Sequence, residues 1–167
     1  CWLLGVRGSA PEFIQFFSSS TMDSLGIHRT LSIARTNNIS GKWKIDDKPI
    51  IPIGEQVENT SMYFEESNQT WFMFTNHIGY DKDGEYTDAI WVYWSKDLNT
   101  WDAENKAIVL DGQNCKWSFR CIGMPSVIRH ENRLALLYDA PGGNSVSHMR
   151  RNIGLAFLKL PLVPPVK

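Results

Sequence analysis

Residues 90–101, IWVYWSKDLNTW, run from an apolar segment through a short polar turn to a tryptophan. Residues 31–43, LSIARTNNISGKW, repeat this order of apolar segment, polar turn and tryptophan. A second short apolar segment follows each of them, at 106–110 and at 49–53. Because β-branched and aromatic residues are frequent in these segments, the sequence predicts a strand on either side of each tryptophan.

A second pair of segments also repeats. Residues 60–75, TSMYFEESNQTWFMFT, and residues 125–138, PSVIRHENRLALLY, each place a polar turn between two apolar runs, which is typical of a hairpin. Joined to the strand–tryptophan–strand segment, the hairpin gives a four-stranded unit of about sixty residues. Repeated four-stranded units of this kind indicate the blades of a β-propeller.

The sequence therefore predicts an all-β fold of four-stranded antiparallel blades, of which about two and a half are present. Residues 1–57 are expected to hold an N-terminal segment and an incomplete blade, with strands at 12–18, 28–35 and 49–53. Residues 58–111 would form a complete blade, and residues 112–167 a linker and a final incomplete blade with strands at 123–130, 133–139 and 152–160. A β-sandwich is the structural alternative. Since blades pack on both neighbours, we expect the remaining blades on another chain or in a self-dimer.

Composition narrows the classes of function. Of the 167 residues 43% are hydrophobic, which excludes a disordered chain. The formal net charge is only -1, so no strong field would attract nucleic acid or an anionic membrane as partner. No apolar run approaches the roughly 20 residues of a membrane-spanning helix.

The motif WSKDLNTW at 94–101, together with PSV at 125–127 and Tyr138, resembles the blades of five-bladed β-propeller glycoside hydrolases, family 43 and related families. The resemblance covers about residues 31–161 and implies the C-terminal half of such a propeller. It also implies an oligo- or polysaccharide substrate and catalysis by carboxylates in the axial pocket. The catalytic base would lie on an earlier blade, outside this chain. The alternatives are a non-catalytic carbohydrate-binding propeller and a structural one.

Glu58 occupies the position where the family's general acid begins an inner strand. The sequence there is ENTS, whereas the family has a Glu-Gly-Pro-like context. The alternative interpretation is a solvated glutamate in the loop that enters the strand. We expect Glu58 to face the axial pocket.

Further candidates for substrate binding lie near predicted strand ends, and each has a structural alternative as a turn former, loop anchor or packing residue. Of the adjacent arginines 150 and 151, at most one can enter the pocket, because neighbouring strand residues face opposite sides. The candidate residues are His77, Asp88, Trp117, Asp139, His148 and Arg150, with Arg151 less favoured.

Cys115 and Cys121 are close enough in sequence for a small disulfide loop, which an oxidising compartment would favour. A periplasmic or extracellular location is expected on the same grounds. No cysteine or histidine pairs have zinc-ligand spacing, and the sequence indicates no metal site or cofactor. Relatives in the resembling family often hold a calcium ion at the propeller axis, which no residue of this chain identifies.

Overall fold

The computed structural model describes residues 2–6, 12–82 and 84–165. These residues form eleven strands and one 3-10 turn, Ile53–Glu55. None of their helices is long and apolar enough to cross a bilayer. The strands are β1 (Trp2–Val6), β2 (Glu12–Asp23), β3 (Gly26–Thr36), β4 (Lys44–Ile45), β5 (Val57–Glu65), β6 (Thr70–Asp81), β7 (Gly84–Ser95), β8 (Lys106–Asp111), β9 (Gly123–His130), β10 (Arg133–Ala140) and β11 (Asn152–Lys159).

The strands form three antiparallel sheets in which sequence neighbours pair. The first sheet has the order β1-β2-β3-β4, the second β5-β6-β7-β8 and the third β9-β10-β11. The first strand of the second sheet, β5, contacts β2 and β3 on one side and β9 on the other. The sheets are therefore stacked side by side as blades, and the fold is an all-β partial propeller.

The middle sheet buries both of its faces. On β6, Phe72 and Phe74 belong to a core shared with the third sheet, whereas Met73, between them, belongs to a core shared with the first. This follows from the strand period of two, which sends successive side chains to opposite faces. Burying an aromatic side chain such as Phe74, which is 0% exposed, contributes about 1.5–3 kcal/mol.

The first sheet differs from the sequence prediction in two respects. It has a first strand, β1, that pairs with β2 from Trp2 to Val6, so it contains four strands. Its fourth strand is Lys44–Ile45, and residues 49–53 do not form the predicted strand. Prolines at 49 and 52 remove two ladder donors, and the backbone bond to β3 that is present there runs from Ile50 N to Leu31 O at 2.9 Å.

The other two sheets follow the predicted segments closely. Strands β9, β10 and β11 lie within one residue of the predicted bounds, and the second sheet spans residues 57–111. The division of the chain at 57/58 and at 111/112 stays a prediction.

The two repeated tryptophans lie between the third and fourth strands of their sheets, but their burial differs. Trp101 is 7% exposed and belongs to the core between the first and second sheets, and its Nε1 donates to Leu98 O at 3.2 Å. Trp43 is half-buried and belongs to neither core of the described residues. The difference follows from packing, since Trp101 lies at the junction of two sheets.

Glu65 anchors the C-terminal segment to the second sheet. Its Oε2 accepts from the Leu162 backbone N at 3.0 Å and from the Tyr63 hydroxyl at 3.2 Å, and its Oε1 accepts from the Ser67 hydroxyl at 2.7 Å. Burial raises the pKa of this carboxyl, but the hydrogen bonds together lower it by more, so the net pKa lies below its usual 4.5.

We predict that Glu65→Gln lowers the free energy of unfolding at neutral pH, because the uncharged amide is a weaker acceptor. Since the folded-state pKa is lowered, the stabilisation is present above about pH 4.5 and is lost as pH falls through the folded value. Urea unfolding between pH 7 and pH 3 should therefore show the wild-type advantage shrinking in acid. The control is Glu66→Gln at the exposed neighbour. A constant difference at all pH values would contradict the prediction.

Gly154 on β11 makes room for the ring of Tyr138 on β10. A Cβ at Gly154 would lie 2.2 Å from the ring's Cζ, and the Tyr138 hydroxyl is held by Trp117 Nε1 at 2.9 Å. We predict that Gly154→Ala destabilises the protein by about 1–3 kcal/mol through overpacking. Chemical denaturation measures this loss in the free energy of unfolding. In Gly54→Ala, the matched control, the Cβ has no neighbour within 4 Å, and this variant should stay close to wild type.

Candidate functional site

A cleft of about 240 Å³ opens where the second and third sheets meet. Most of its lining side chains are polar, and they come from the ends of strands and the segment before β11. The lining residues are Glu58, Asn76, Ile78, Glu85, Tyr86, Thr87, Met124, Asp139, His148 and Arg151. The structure thus brings the candidates Glu58, Asp139 and His148 together, although they are distant in sequence.

A bulge in β5 directs Glu58 into the cleft. The register between β5 and β6 shifts between Glu58 and Thr60, and Asn59 adopts a left-handed φ of 50°. Asparagine tolerates this conformation better than most residues do, and a bulge redirects neighbouring side chains. The Glu58 side chain keeps 21% of its surface exposed, so it is partly open to a ligand.

Arg29 of β3 lies against Glu58. Its Nη1 is 3.2 Å from Glu58 Oε2, and its Nη2 also pairs with Glu85. Burial lowers the pKa of Arg29, but the two carboxylates raise it by more, so the net pKa lies above its usual value. One guanidinium from the first sheet is thus shared between two carboxylates of the second.

Asn76 connects Glu58 to the third sheet. Its side chain is fully buried; Oδ1 accepts from the Met124 backbone N at 2.6 Å, and Nδ2 makes a long hydrogen bond of 3.4 Å to Glu58 Oε1. Gly123 allows this approach, because a Cβ there would lie 3.1 Å from Asn76 Oδ1. Neither Arg29 nor Asn76 was a sequence candidate. Asn76 directly precedes the candidate His77. The sequence alone does not show which of these two neighbours faces the third sheet.

Arg151, rather than Arg150, lines the cleft. Its Nη2 lies 2.6 Å from Asp139 Oδ1, and its Nη1 donates to Cys121 Sγ at 3.0 Å. Burial lowers the pKa of Arg151, but Asp139 and Cys121 raise it by more. Arg150 is exposed and does not line the cleft. The sequence predicted that at most one of the two would enter and favoured Arg150, on the premise that both lie on a strand. Both precede β11, which begins at Asn152.

His148 lies at the edge of the cleft. The residue is exposed, and its Nε2 is 3.4 Å from the backbone oxygen of Glu85. The predicted roles of Glu58, Asp139 and His148 in substrate contact stay predictions; the structure places these side chains at one cleft.

His77 and Asp88 pair with each other outside this cleft. His77 Nδ1 is 2.6 Å from Asp88 Oδ1, and the imidazole stacks on Trp91 with a centroid distance of 4.1 Å. Both residues line a neighbouring depression. His77 faces away from Asn76 because successive strand residues point to opposite faces of the sheet. Tyr86 lines both cavities and separates them.

Trp117 packs against the third sheet. Its indole Nε1 donates to the Tyr138 hydroxyl at 2.9 Å, and the two rings are stacked with centroids 5.9 Å apart. The indole borders the large core between the second and third sheets and lines neither cavity. This arrangement matches the packing alternative raised for Trp117.

The predicted disulfide loop is absent. Cys115 and Cys121 are free and buried, and their sulfurs have different neighbours: Cys115 faces the Tyr138 hydroxyl at 3.6 Å, and Cys121 faces Arg151. Close spacing in sequence did not bring the thiols together, because the intervening loop turns around Ser118, whose hydroxyl donates to Cys121 O at 2.9 Å. The disulfide argument for an oxidising compartment is therefore removed.

The described residues include no group of three or more His, Cys, Asp or Glu side chains placed to hold a metal ion. The carboxylates of the cleft are engaged by arginines instead, Glu58 by Arg29 and Asp139 by Arg151. This donor set does not fit a calcium ion, and no step of the chemistry is assigned to one.

Solved structures share this arrangement of sheets. A complex of BT0996 with RGII has a TM-score of 0.65 and 16% identity, covering 93% of the present sequence and 43% of its own. A thermostable family-43 glycoside hydrolase has a TM-score of 0.63 and 19% identity, covering 97% and 51%. The fold is that of the five-bladed β-propeller glycoside hydrolases. The Bombyx mori GH32 β-fructofuranosidase BmSUC1 also matches, with a TM-score of 0.60 and 10% identity, covering 95% and 33%.

At these identities the similarity concerns the propeller fold. The chain spans only about 43% and 51% of the first two structures' length. No protein-family model and no curated protein matches the sequence. The cleft lies where strand ends of two neighbouring blades, the second and third sheets, meet.

We predict that Asn76→Ala destabilises the propeller by about 1–3 kcal/mol, because it removes a fully buried side chain and with it the acceptor of the Met124 backbone N–H. Denaturant unfolding should show the loss. Asn37→Ala, at an exposed turn position, is the control and should unfold at the wild-type denaturant concentration. Equal stability of both variants would show that the bridge to the third sheet contributes nothing.

Proposed function

We propose that this chain provides part of the active site of a glycoside hydrolase that cleaves an oligo- or polysaccharide, with Glu58 as the general acid. The observation that carries the proposal is the convergence of Glu58, Asn76 and His148 on one cleft at the junction of two blades. A sugar-binding site needs polar groups that converge on a concave surface of this kind.

Glycoside hydrolysis by this route needs two carboxyl groups. One carboxyl protonates the leaving oxygen, while the other activates water or attacks the sugar carbon. Glu58 would act as the acid, and the second carboxylate would come from a blade outside this chain. In this proposal Asp139 is occupied by Arg151, and His148 contacts a substrate hydroxyl.

The exposed apolar residues of β11 fit a larger assembly. On β11, Ile153 is 80% exposed and Leu155 is 56% exposed, on the sheet face that alternates with buried positions. Remaining propeller blades, on another chain or in a self-dimer, would cover this face. A periplasmic or extracellular location, and the absence of nucleic-acid and membrane partners, stay predictions.

The second candidate is a carbohydrate-binding propeller without catalysis. Arg29 holds the Glu58 carboxylate in an ion pair, with 3.2 Å between Nη1 and Oε2. A carboxylate fixed in this way is suited to accepting a hydrogen bond from a ligand hydroxyl, which favours this alternative. Under the catalytic proposal, Arg29 also pairs with Glu85, and this sharing weakens its ion pair with Glu58.

The test uses Glu58→Gln in the complete protein and substrates with different leaving groups, methyl pentosides and 4-nitrophenyl pentosides. A 4-nitrophenolate needs little protonation to depart, whereas a methoxide needs an acid. We predict that kcat/KM falls by about 10²–10⁴-fold for the methyl glycosides and far less for the nitrophenyl ones.

Glu66→Gln, at an exposed position in the turn between β5 and β6, is the matched control and should keep full activity. An equal loss for both leaving groups would show that Glu58 is not the acid. Sugar binding by a wild-type protein that turns over neither series would favour the non-catalytic propeller.

A further inference from the structure

Three asparagines of the chain stand in the pattern Asn-x-Ser/Thr without proline at x, in which an asparagine is able to accept an N-linked glycan. They are Asn38, Asn59 and Asn68, followed two residues later by Ser40, Ser61 and Thr70. We propose that Asn38 is an N-glycan acceptor and that the fold excludes a glycan from the other two asparagines. This site is independent of the cleft and of the proposed catalysis.

Asn38 presents its side-chain nitrogen to solvent. It lies in the exposed turn at residues 37–42, directly after β3. Its Oδ1 accepts from the Ser40 backbone N at 3.1 Å, and this bond fixes the orientation of the carboxamide. Its Nδ2, the atom that would carry the sugar, makes no hydrogen bond to another described residue. The backbone bond that closes the turn, from Gly41 N to Asn38 O at 2.8 Å, does not involve Nδ2 and is kept when a glycan is attached.

Asn59 and Asn68 use the same nitrogen in contacts within the fold. Asn68 Nδ2 donates to the Leu162 backbone O at 2.7 Å, and Asn68 Oδ1 is buried. Asn59 Nδ2 lies 3.2 Å from Met124 Sδ and 3.4 Å from Glu58 Oε1, two side chains of the cleft wall. A sugar on either nitrogen would displace these neighbours, because a glycan is bulky and needs open solvent.

The acceptor and the cleft lie at opposite ends of β3. Arg29, near the start of this strand, contacts Glu58 at the cleft, whereas Asn38 follows Thr36, the last residue of the strand. The seven steps from residue 29 to residue 36, at about 3.3 Å each, span about 23 Å. A glycan on Asn38 therefore begins well away from the cleft.

Glycan transfer to Asn38 is a substitution at the first carbon of the donor sugar. The donor is a lipid-linked oligosaccharide, in which this carbon is bound to a diphosphate oxygen. The new bond joins the carbon to Asn38 Nδ2, and the bond from the carbon to the diphosphate oxygen breaks. The lipid diphosphate leaves with the electron pair, and Nδ2 loses one proton. No oxidant or reductant takes part.

The test expresses the complete protein with a secretion signal in a eukaryotic host and treats it with peptide N-glycosidase in heavy-oxygen water. This enzyme converts a glycosylated asparagine into a labelled aspartate, which peptide mass spectrometry locates. We expect the label at Asn38 and none at Asn59 or Asn68. Ser40→Ala should abolish the label at Asn38, because it removes the hydroxyl group of the pattern. Ser40→Thr, the matched control, should retain the label.

An unlabelled Asn38 in the secreted wild-type protein would overturn the proposal. A label that persists in Ser40→Ala would also overturn it, since that label would arise from deamidation rather than from a glycan. A label at Asn59 or Asn68 in a secreted protein whose circular dichroism shows the native fold would overturn the exclusion of these two sites. None of these results depends on Glu58, so the proposed function stands or falls separately.

Discussion

The middle sheet is buried on both faces, and the rest of the structure depends on this. Its strands cannot use the common pattern of one apolar and one polar face, so Phe74 and Met73 both face cores although they are neighbours on β6. The polar residues buried within its strands include Ser61 and Thr75, and other polar side chains lie where the two cores stop. Asn76 and His77 stand at that limit on β6, one on each face, and each opens a different cavity.

The cleft is assembled by polar contacts between sheets. Arg29 reaches Glu58 from the first sheet, and Asn76 reaches the Met124 backbone of the third. Both contacts converge on the bulged start of β5, so the position of Glu58 is determined by three sheets. Because these partners lie at low exposure, their mutual attraction is screened less than that of surface charges. A shift of one blade would therefore move the carboxylate that we assign as the acid.

The sequence predicted the parts of the fold that depend on local patterns. Alternation and turn residues located β9 and β10, because a hairpin carries its own register. The strand predicted at 49–53 was wrong, because an apolar segment whose prolines lack backbone donors does not form a ladder strand. Arg29 was missed because its partners, Glu58 and Glu85, come from another sheet, and no spacing along the chain reveals that contact. The two cysteines were paired on spacing along the chain alone, whereas the loop between them turns around Ser118 and leaves both thiols free.

The loop between β8 and β9 is hydrogen-bonded to the turn after β10, and these two segments carry wall residues of the two cavities. Gly143 accepts from Phe119 N and donates to Trp117 O, both at 2.8 Å, so this loop is fastened to the glycine-rich turn after β10. The positive φ values of Gly142 and Gly143, 89° and 54°, allow the turn to lie flat against it. The turn leads to His148 and Arg151 at the cleft, while the loop carries Phe119 at the depression. The backbone hydrogen bonds of Gly143 thus connect the walls of the two cavities.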